Sequence, residues 1–557
     1  MSPIGIRGSA QRFTEFASRQ LTTLFKFMPT MASSMGLHAY DGMVPDFTKE
    51  NIEARVEELN RALAELEEID PADFDADLNL DYHLLRQGLQ TERFRLGELR
   101  EHTYNPLFIF WMVDVMNYIK RDYAPPEERI TKLVEYELQV PKLIEQTKAA
   151  LELPLAHPHL QIAIQMCTGQ VKYMREDFPR TVAEQLGEHE PLLAEFNEAN
   201  GKAVEALESY LNFLTEQMPH ARPDFGIGAE MFSRMLAVNE LVDLPLEYIL
   251  EVGRANLEAN KAAYIETAHE IEPAMDVREV ALMMSTDHPT KETLIPDAAD
   301  MLEELRDFII ESDLVTVPSE VRCKVVETPP FLRWGFAFMD SPGPFEEKAT
   351  DAYYYVTPVE EEWTEQQAEE WLRRFNYASL CDVSIHEAYP GHYLHFLHAS
   401  ARVTSPVRKV FGSYSFVEGW AHYCEQMMVE EGYRGDTPVL RFAQLSEALL
   451  RNCRYVAAIM MHTGRMTLDE ATRFFMENGF MDELPAQKEA LRGTFDPGYL
   501  NYTLGKLLIL KLRDDLKAKE GDSFNLKRFH DSMLALGYPP VPLVRQYLLG
   551  DDNSPIL

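Results

Sequence analysis

The chain has 557 residues, 46% hydrophobic and 26% charged, the composition of a soluble globular protein too long for one ordinary domain. Its 53 basic and 91 acidic residues leave a formal charge of −38, so neither nucleic acid nor an anionic membrane surface is expected as a partner. The first residues lack the apolar core of a secretory signal, and no apolar run reaches bilayer length, so neither export nor a membrane span is expected.

Taken in order, the first half of the chain reads as helix. Val56, Leu59, Leu63, Leu66 and Ile69 recur at three- and four-residue steps between Glu and Arg, which predicts an amphipathic helix. Similar patterns predict helices over roughly 80–100, 127–151, 158–176, 190–217, 245–268 and 297–312, punctuated by Pro125-Pro126, Pro154, Pro191 and Pro223. Near 315 the texture turns β-rich, in Leu314–Val317, Val321–Val326, Trp334–Phe338 and Ala352–Pro358. A small sheet is expected there. Its edge can hold an extended peptide by main-chain pairing, with Tyr355 among the substrate-contacting residues; a hairpin that only props the next helix is the other reading. Helix resumes after a capping box at Thr364–Gln367, and a second box at Thr467–Glu470 starts a helix that Gly479 stops. The expected fold is mainly α-helical and two-lobed, with a small sheet beside an active-site cleft. The helical lobe is expected over 1–315 and the catalytic lobe over 316–557.

Cys167, Cys323, Cys381, Cys424 and Cys453 are odd in number and form no C-x-x-C pair. They point to reduced thiols and a cytoplasmic protein, with Cys381 and Cys424 read as small core residues.

The chemistry-bearing stretch is His386-Glu387-Ala388-Tyr389-Pro390-Gly391-His392, followed by Val417-Glu418-Gly419-Trp420-Ala421. Imidazole nitrogens and a carboxylate are zinc ligands, and a catalytic zinc needs three of them plus a position for water. A glutamate directly after the first histidine can take that water's proton. The two histidines lie six residues apart, which on an ideal helix turns the second about 240° from the first. Pro390 cannot donate to the His386 carbonyl, and Gly391 tolerates unusual dihedrals, so a bulge at Pro390-Gly391 is expected to re-aim His392. Glu418 is the expected third ligand, on a second helix that Gly419 and Ala421 let approach. Glu425, seven residues on, shares its face and reads either as orienting a ligand histidine or as a solvated carboxylate. His395, His398 and His422 are rival ligands; only His386 carries the adjacent glutamate.

These residues resemble the bacterial proteins grouped as domain of unknown function 885, placed with gluzincin-like metallopeptidases. The H-E-A-Y-P-G-H block is similar to the family's signature, including its six-residue spacing, and Val417–Ala421 to its second signature. Arg451–Tyr455 with His462-Thr463-Gly464, Pro497–Lys506, Phe524–Asp531 and Gly36–Asp41 extend the likeness. The stretch Ala457–Met461 departs from it, where the family often has an aspartate. The resemblance implies His386, His392 and Glu418 as ligands of one Zn2+ per chain and Glu387 as base.

The oxyanion formed during hydrolysis needs a donor besides the metal. Tyr502 is the expected donor and Tyr499 its competitor. Arg451 or Arg454 is expected to grip a substrate carboxylate, the alternative being structural ion pairs. The sequence thus predicts a zinc metallopeptidase acting on short peptides. The alternatives are a metal-dependent hydrolase of other amides or esters, or a non-enzymatic helical protein with a vestigial metal site.

Overall fold

Helices dominate, joined by one small sheet, in a computed structural model that describes residues 3–187, 190–329, 332–333, 335–435, 437–550 and 554–557. The expected mainly α fold with a small sheet is what forms. Two compact units arise, one from Met1–Ile227 with Pro342–Thr350, the other from Gly228–Ser341 with Asp351–Leu557.

The first unit contains α1 (Pro3–Phe27), α2 (Lys49–Glu67), α3 (Ala76–Arg93), α4 (Pro126–Glu137), α5 (His157–Leu186) and α6 (Glu190–Gln217). Of the stripe predicted for α2, Leu59 and Leu66 are fully buried and Ile69 just beyond the helix is nearly so, while Val56 and Leu63 are half-buried. The pattern over 80–100 changes pitch at Phe94, where a π-helical turn runs to Leu99 and Arg100 closes it at φ 53°. The pattern over 127–151 splits, because α4 ends at Glu137 and a new helix starts at Val140, with Pro141 in its first turn.

The second unit contains α7 (Ala229–Asn239), α8 (Leu246–Ile271), α9 (Leu294–Glu311), the sheet, α10 (Tyr377–Glu387), α11 (His392–Arg402), α12 (Tyr414–Glu430), α13 (Pro438–His462), α14 (Leu468–Asn478) and α15 (Asn501–Glu520). The unit boundary falls at 227/228 and not at the change of texture near 315, because α8 packs along α13. Tyr455 of α13 occupies the space a Cβ on Gly253 would need, and its hydroxyl donates to the Ile249 carbonyl at 3.0 Å. Both predicted capping boxes form, at Thr364 and Thr467, and Gly479 follows the end of α14.

The sheet has order β1-β3-β2, with β1 (Lys324–Glu327) parallel to β3 (Tyr353–Val356) and β2 (Ala337–Asp340) antiparallel to it. Trp334, expected in this region, lies outside the described residues. Leu314–Val317 is not a strand. Its main chain is satisfied by side chains instead: His530 bonds the Leu314 carbonyl at 2.8 Å, His398 the Thr316 carbonyl at 2.7 Å, and Asp531 accepts from Thr316 N at 2.8 Å.

The crossing of α12 and α15 sets the position of Glu418. A Cβ on Gly419 would stand 2.5 Å from Gly505 Cα, and one on Gly505 would stand 1.7 Å from the Ser415 carbonyl oxygen. Only glycine at both positions permits this backbone approach. Among the described residues no helix is long and apolar enough to cross a membrane.

Candidate metal centre

Between His386 and His392 the helix is interrupted outright, a sharper break than the expected bulge. Gly391 N donates to the Ile385 carbonyl at 3.0 Å and Leu394 N to the Ala388 carbonyl at 3.2 Å, each six residues back. An α-helix bonds four residues back, so two residues are looped out. His392 therefore takes the place the fourth residue after His386 holds in a continuous helix, on the same side. No side chain fits at Gly391, where a Cβ would lie 1.8 Å from the His386 carbonyl oxygen. Trp420, fully buried on α12, donates its indole N–H to the Pro390 carbonyl at 2.9 Å and ties the loop to the helix bearing Glu418.

The result brings His386, His392 and Glu418 together, with one potential ligand atom from each all within 4.8 Å of one another. The imidazole rings stand edge to face, centroids 4.8 Å apart. Glu418 Oε2 lies 3.4 Å from Nε2 of His386 and 3.4 Å from Nε2 of His392. That oxygen is buried and makes no hydrogen bond of its own. The separations exceed the usual hydrogen-bond range. Ligand atoms about 2.0–2.2 Å from a tetrahedral zinc stand about 3.3–3.6 Å apart, so the donor set fits a zinc ion in both chemistry and spacing.

Glu425 is fully buried, which rules out the solvated reading. One oxygen lies 2.6 Å from His386 Nδ1 and the other 2.9 Å from His422 Nδ1, with Arg451 3.2 Å away. Holding Nδ1 leaves Nε2 of His386 facing Glu418. Burial opposes charge on His386, yet Glu418 and Glu425 outweigh it and push the imidazole up to about 10. Against the same opposition, the two histidines hold Glu418 well below the usual carboxylate range. The cluster is built to hold positive charge.

The rival histidines have other work. His395 Nε2 pairs with the Gly537 carbonyl at 2.8 Å, and His398 with Thr316 as described. Burial pushes His395 and His422 down to about 3, so both are neutral.

Glu387, the last residue of α10, accepts from Met339 N at 2.9 Å. Tyr502 stacks on His386 with ring centroids 6.4 Å apart and lies under Arg451 and Arg454. Tyr499 is fully buried, its hydroxyl without a partner against Gly493, which removes it as competitor. Two expectations need correction. Neither Arg451 nor Arg454 is an open fork: Arg451 is engaged by Glu447 at 2.7 Å and by Glu425, and Arg454 makes a bidentate pair with Glu489 at 2.7 and 2.8 Å. Tyr355 is also turned away, because strand alternation gives Tyr354 the face that meets Ser384 of α10. The Tyr355 ring packs instead on Phe338 and Tyr353, at 5.3 and 5.5 Å.

Sequence reasoning missed two buried groups beside the centre. Asp382 lies one turn before His386 on α10, and neither of its oxygens has a hydrogen-bond partner; burial first, then Glu425, raises its carboxyl well above the usual range. Lys506 is 1% exposed, and burial brings it down to about 8. Asp382 could have been found from its four-residue spacing to His386, and Lys506 from its place next to Gly505.

A mainly α protein with a His-His-Glu cluster at a helix break is the class this geometry defines. The chain belongs to the family described as bacterial protein of unknown function (DUF885), whose pattern matches residues 29–548. No curated protein matches it. Several solved structures share its fold, among them the following two. A "putative lipoprotein of unknown function" from Shewanella oneidensis is 23% identical, with TM-score 0.82, covering 96% of this chain and 99% of its own. A "putative lipoprotein" from Colwellia psychrerythraea is 18% identical, with TM-score 0.84, covering 97% of this chain and 98% of its own.

Proposed function

We propose that this protein is a zinc-dependent metallopeptidase of gluzincin-like design that hydrolyses short peptides, with one zinc per chain held by His386, His392 and Glu418. The observation that carries the reading is the Glu418 oxygen standing 3.4 Å from both imidazole nitrogens with no hydrogen bond of its own. A zinc ion bound there supplies a Lewis acid that brings the pKa of its water near neutrality.

The chain's own groups supply the rest. Glu387 takes a proton from the attacking water and returns it to the leaving amine nitrogen. Its bond from Met339 N holds the carboxylate at the end of α10. Tyr502 donates its phenol hydrogen to the substrate carbonyl oxygen as charge develops there; burial, then Glu418, raises its pKa, so the phenol stays protonated. Glu425, fixed by Arg451, orients His386. In β2 the main chain of Met339 points away from β3 toward Glu387, so this edge can pair with an extended substrate.

The test is metal analysis of the purified chain together with a fluorogenic peptide panel run beside ester and non-peptide amide substrates. One equivalent of zinc with chelator-sensitive peptide cleavage is the expected result. Cleavage of esters or other amides alone would move the assignment to another hydrolase class.

A further inference from the structure

A hollow of about 410 Å³ opens beside the cluster, walled by His392 and Glu418 themselves and by Met339 of the sheet edge. Its other walls follow from the same elements. Phe396 lies one turn beyond His392 on α11 and so presents to the same side. Val417 precedes Glu418 on α12, and Val410 and Phe411 line the hollow from the short helix Pro406–Val410 and the loop after it. His395 also lines the hollow but is neutral, since burial pushes it down to about 3 and its Nε2 is engaged by Gly537. Lys409 is the lining cation.

We propose that this hollow is the specificity subsite for the residue flanking the scissile amide, and that it takes a large apolar side chain, aliphatic or aromatic. The proposal rests on the peptidase reading and adds the substrate class to it. Size permits it: pockets of about 300–1,000 Å³ accept small ligands, and this one, toward the lower end, has room for one large side chain with its flanking main chain. Chemistry supports it. A leucine or phenylalanine side chain placed here meets Phe396, Val410, Phe411 and Val417, whereas a lysine side chain finds Glu418 as the one lining carboxylate, already committed to the cluster, beside the neutral hydroxyls of Ser341 and Tyr538. An acidic side chain is the competitor, through Lys409, and the experiment separates the two.

The full-length chain loaded with zinc is assayed with fluorogenic peptides that differ only at the residue on one side, then the other, of the scissile bond: Gly, Ala, Leu, Phe, Asp or Lys. Binding of the glycine, leucine, phenylalanine and aspartate hydroxamates is measured in parallel by calorimetry, which needs no turnover. Leu and Phe are expected to exceed Gly by about ten- to a hundredfold in kcat/KM, and in hydroxamate affinity, on one side of the bond. Val410→Trp narrows the hollow and is expected to shift preference toward Gly and Ala. Phe396→Ala, which creates space instead, is expected to reduce the Phe advantage several-fold. Zinc content checks that both variants are folded.

Affinities independent of the side chain, or a preference for Asp, overturn the proposal. The two readings fail separately: turnover with a flat side-chain profile removes the subsite and keeps the peptidase, whereas graded hydroxamate affinities without turnover keep the subsite and remove the peptidase. A chain that takes no zinc overturns both.

Discussion

Gly391→Ala tests the helix break as the device that assembles the cluster. The added Cβ would stand 1.8 Å from the His386 carbonyl oxygen and 2.5 Å from that of Ile385, both backbone atoms that cannot rotate away. Ordinary contact begins at about 3.4 Å, so the loop must open by about 1.5 Å, and the start of α11 with His392 moves with it. Metal and catalytic constellations tolerate about 0.5 Å, and a misplacement of about 1 Å costs about a hundredfold. Zinc affinity, read by competition with a chromogenic chelator, is expected to fall at least a hundredfold, about 2.7 kcal/mol. Gly169→Ala in α5 is the control, because nothing lies within 4 Å of its Cβ position. A Gly391→Ala protein that binds zinc within threefold of wild type refutes the argument that this close turn positions His392.

Glu387→Gln keeps the two histidines and Glu418 untouched, so zinc stoichiometry is expected to hold while kcat for peptide cleavage drops about 10²–10⁴-fold; wild-type turnover would remove the base from Glu387. Glu425→Gln removes the anion that orients His386 and faces Arg451, and zinc affinity is expected to fall about 10–100-fold without loss of the fold seen by circular dichroism. Glu137 in α4 is fully buried and neither oxygen has a partner, and burial raises its carboxyl well above the usual range. The folded state therefore favours the protonated form, and stability is lost as pH rises from the ordinary carboxylate value toward the folded one. Glu137→Met is expected to melt close to wild type at pH 4 and above it at pH 8, by about 1–3 kcal/mol in chemical denaturation. A gap that does not widen with pH contradicts a buried neutral acid.

What the sequence shows and what it hides divide along physical lines. The helix stripe through Leu59 and Leu66, the capping boxes at Thr364 and Thr467 and the shared helix face of Glu418 and Glu425 are periodic features, and local geometry alone fixes them. The helix break was legible because Pro390 and Gly391 are incompatible with an unbroken helix, but its form was not, since the six-back bonds depend on Trp420 reaching across from α12. Leu314–Val317 has strand composition yet becomes an irregular segment because His398, His530 and Asp531, distant in sequence, take its main-chain bonds. Asp382 and Lys506 escape sequence reasoning because charged side chains are seldom buried, and the local cues, spacing to His386 and the neighbouring Gly505, place them near the site without marking them as buried. The arginine pairs are only half legible: Glu447 lies one turn from Arg451, but Glu425 of α12 and, for Arg454, Glu489 35 residues on are brought in by the fold. The unit boundary near 228 reflects packing of α8 on α13, which composition does not encode.

The central claim is tested most directly by anomalous scattering at the zinc edge from crystals of the zinc-loaded chain. The account predicts one strong peak about 2.0–2.2 Å from Nε2 of His386, Nε2 of His392 and an oxygen of Glu418, and its loss in Glu418→Ala. A peak elsewhere, or none in protein shown to be folded, contradicts it.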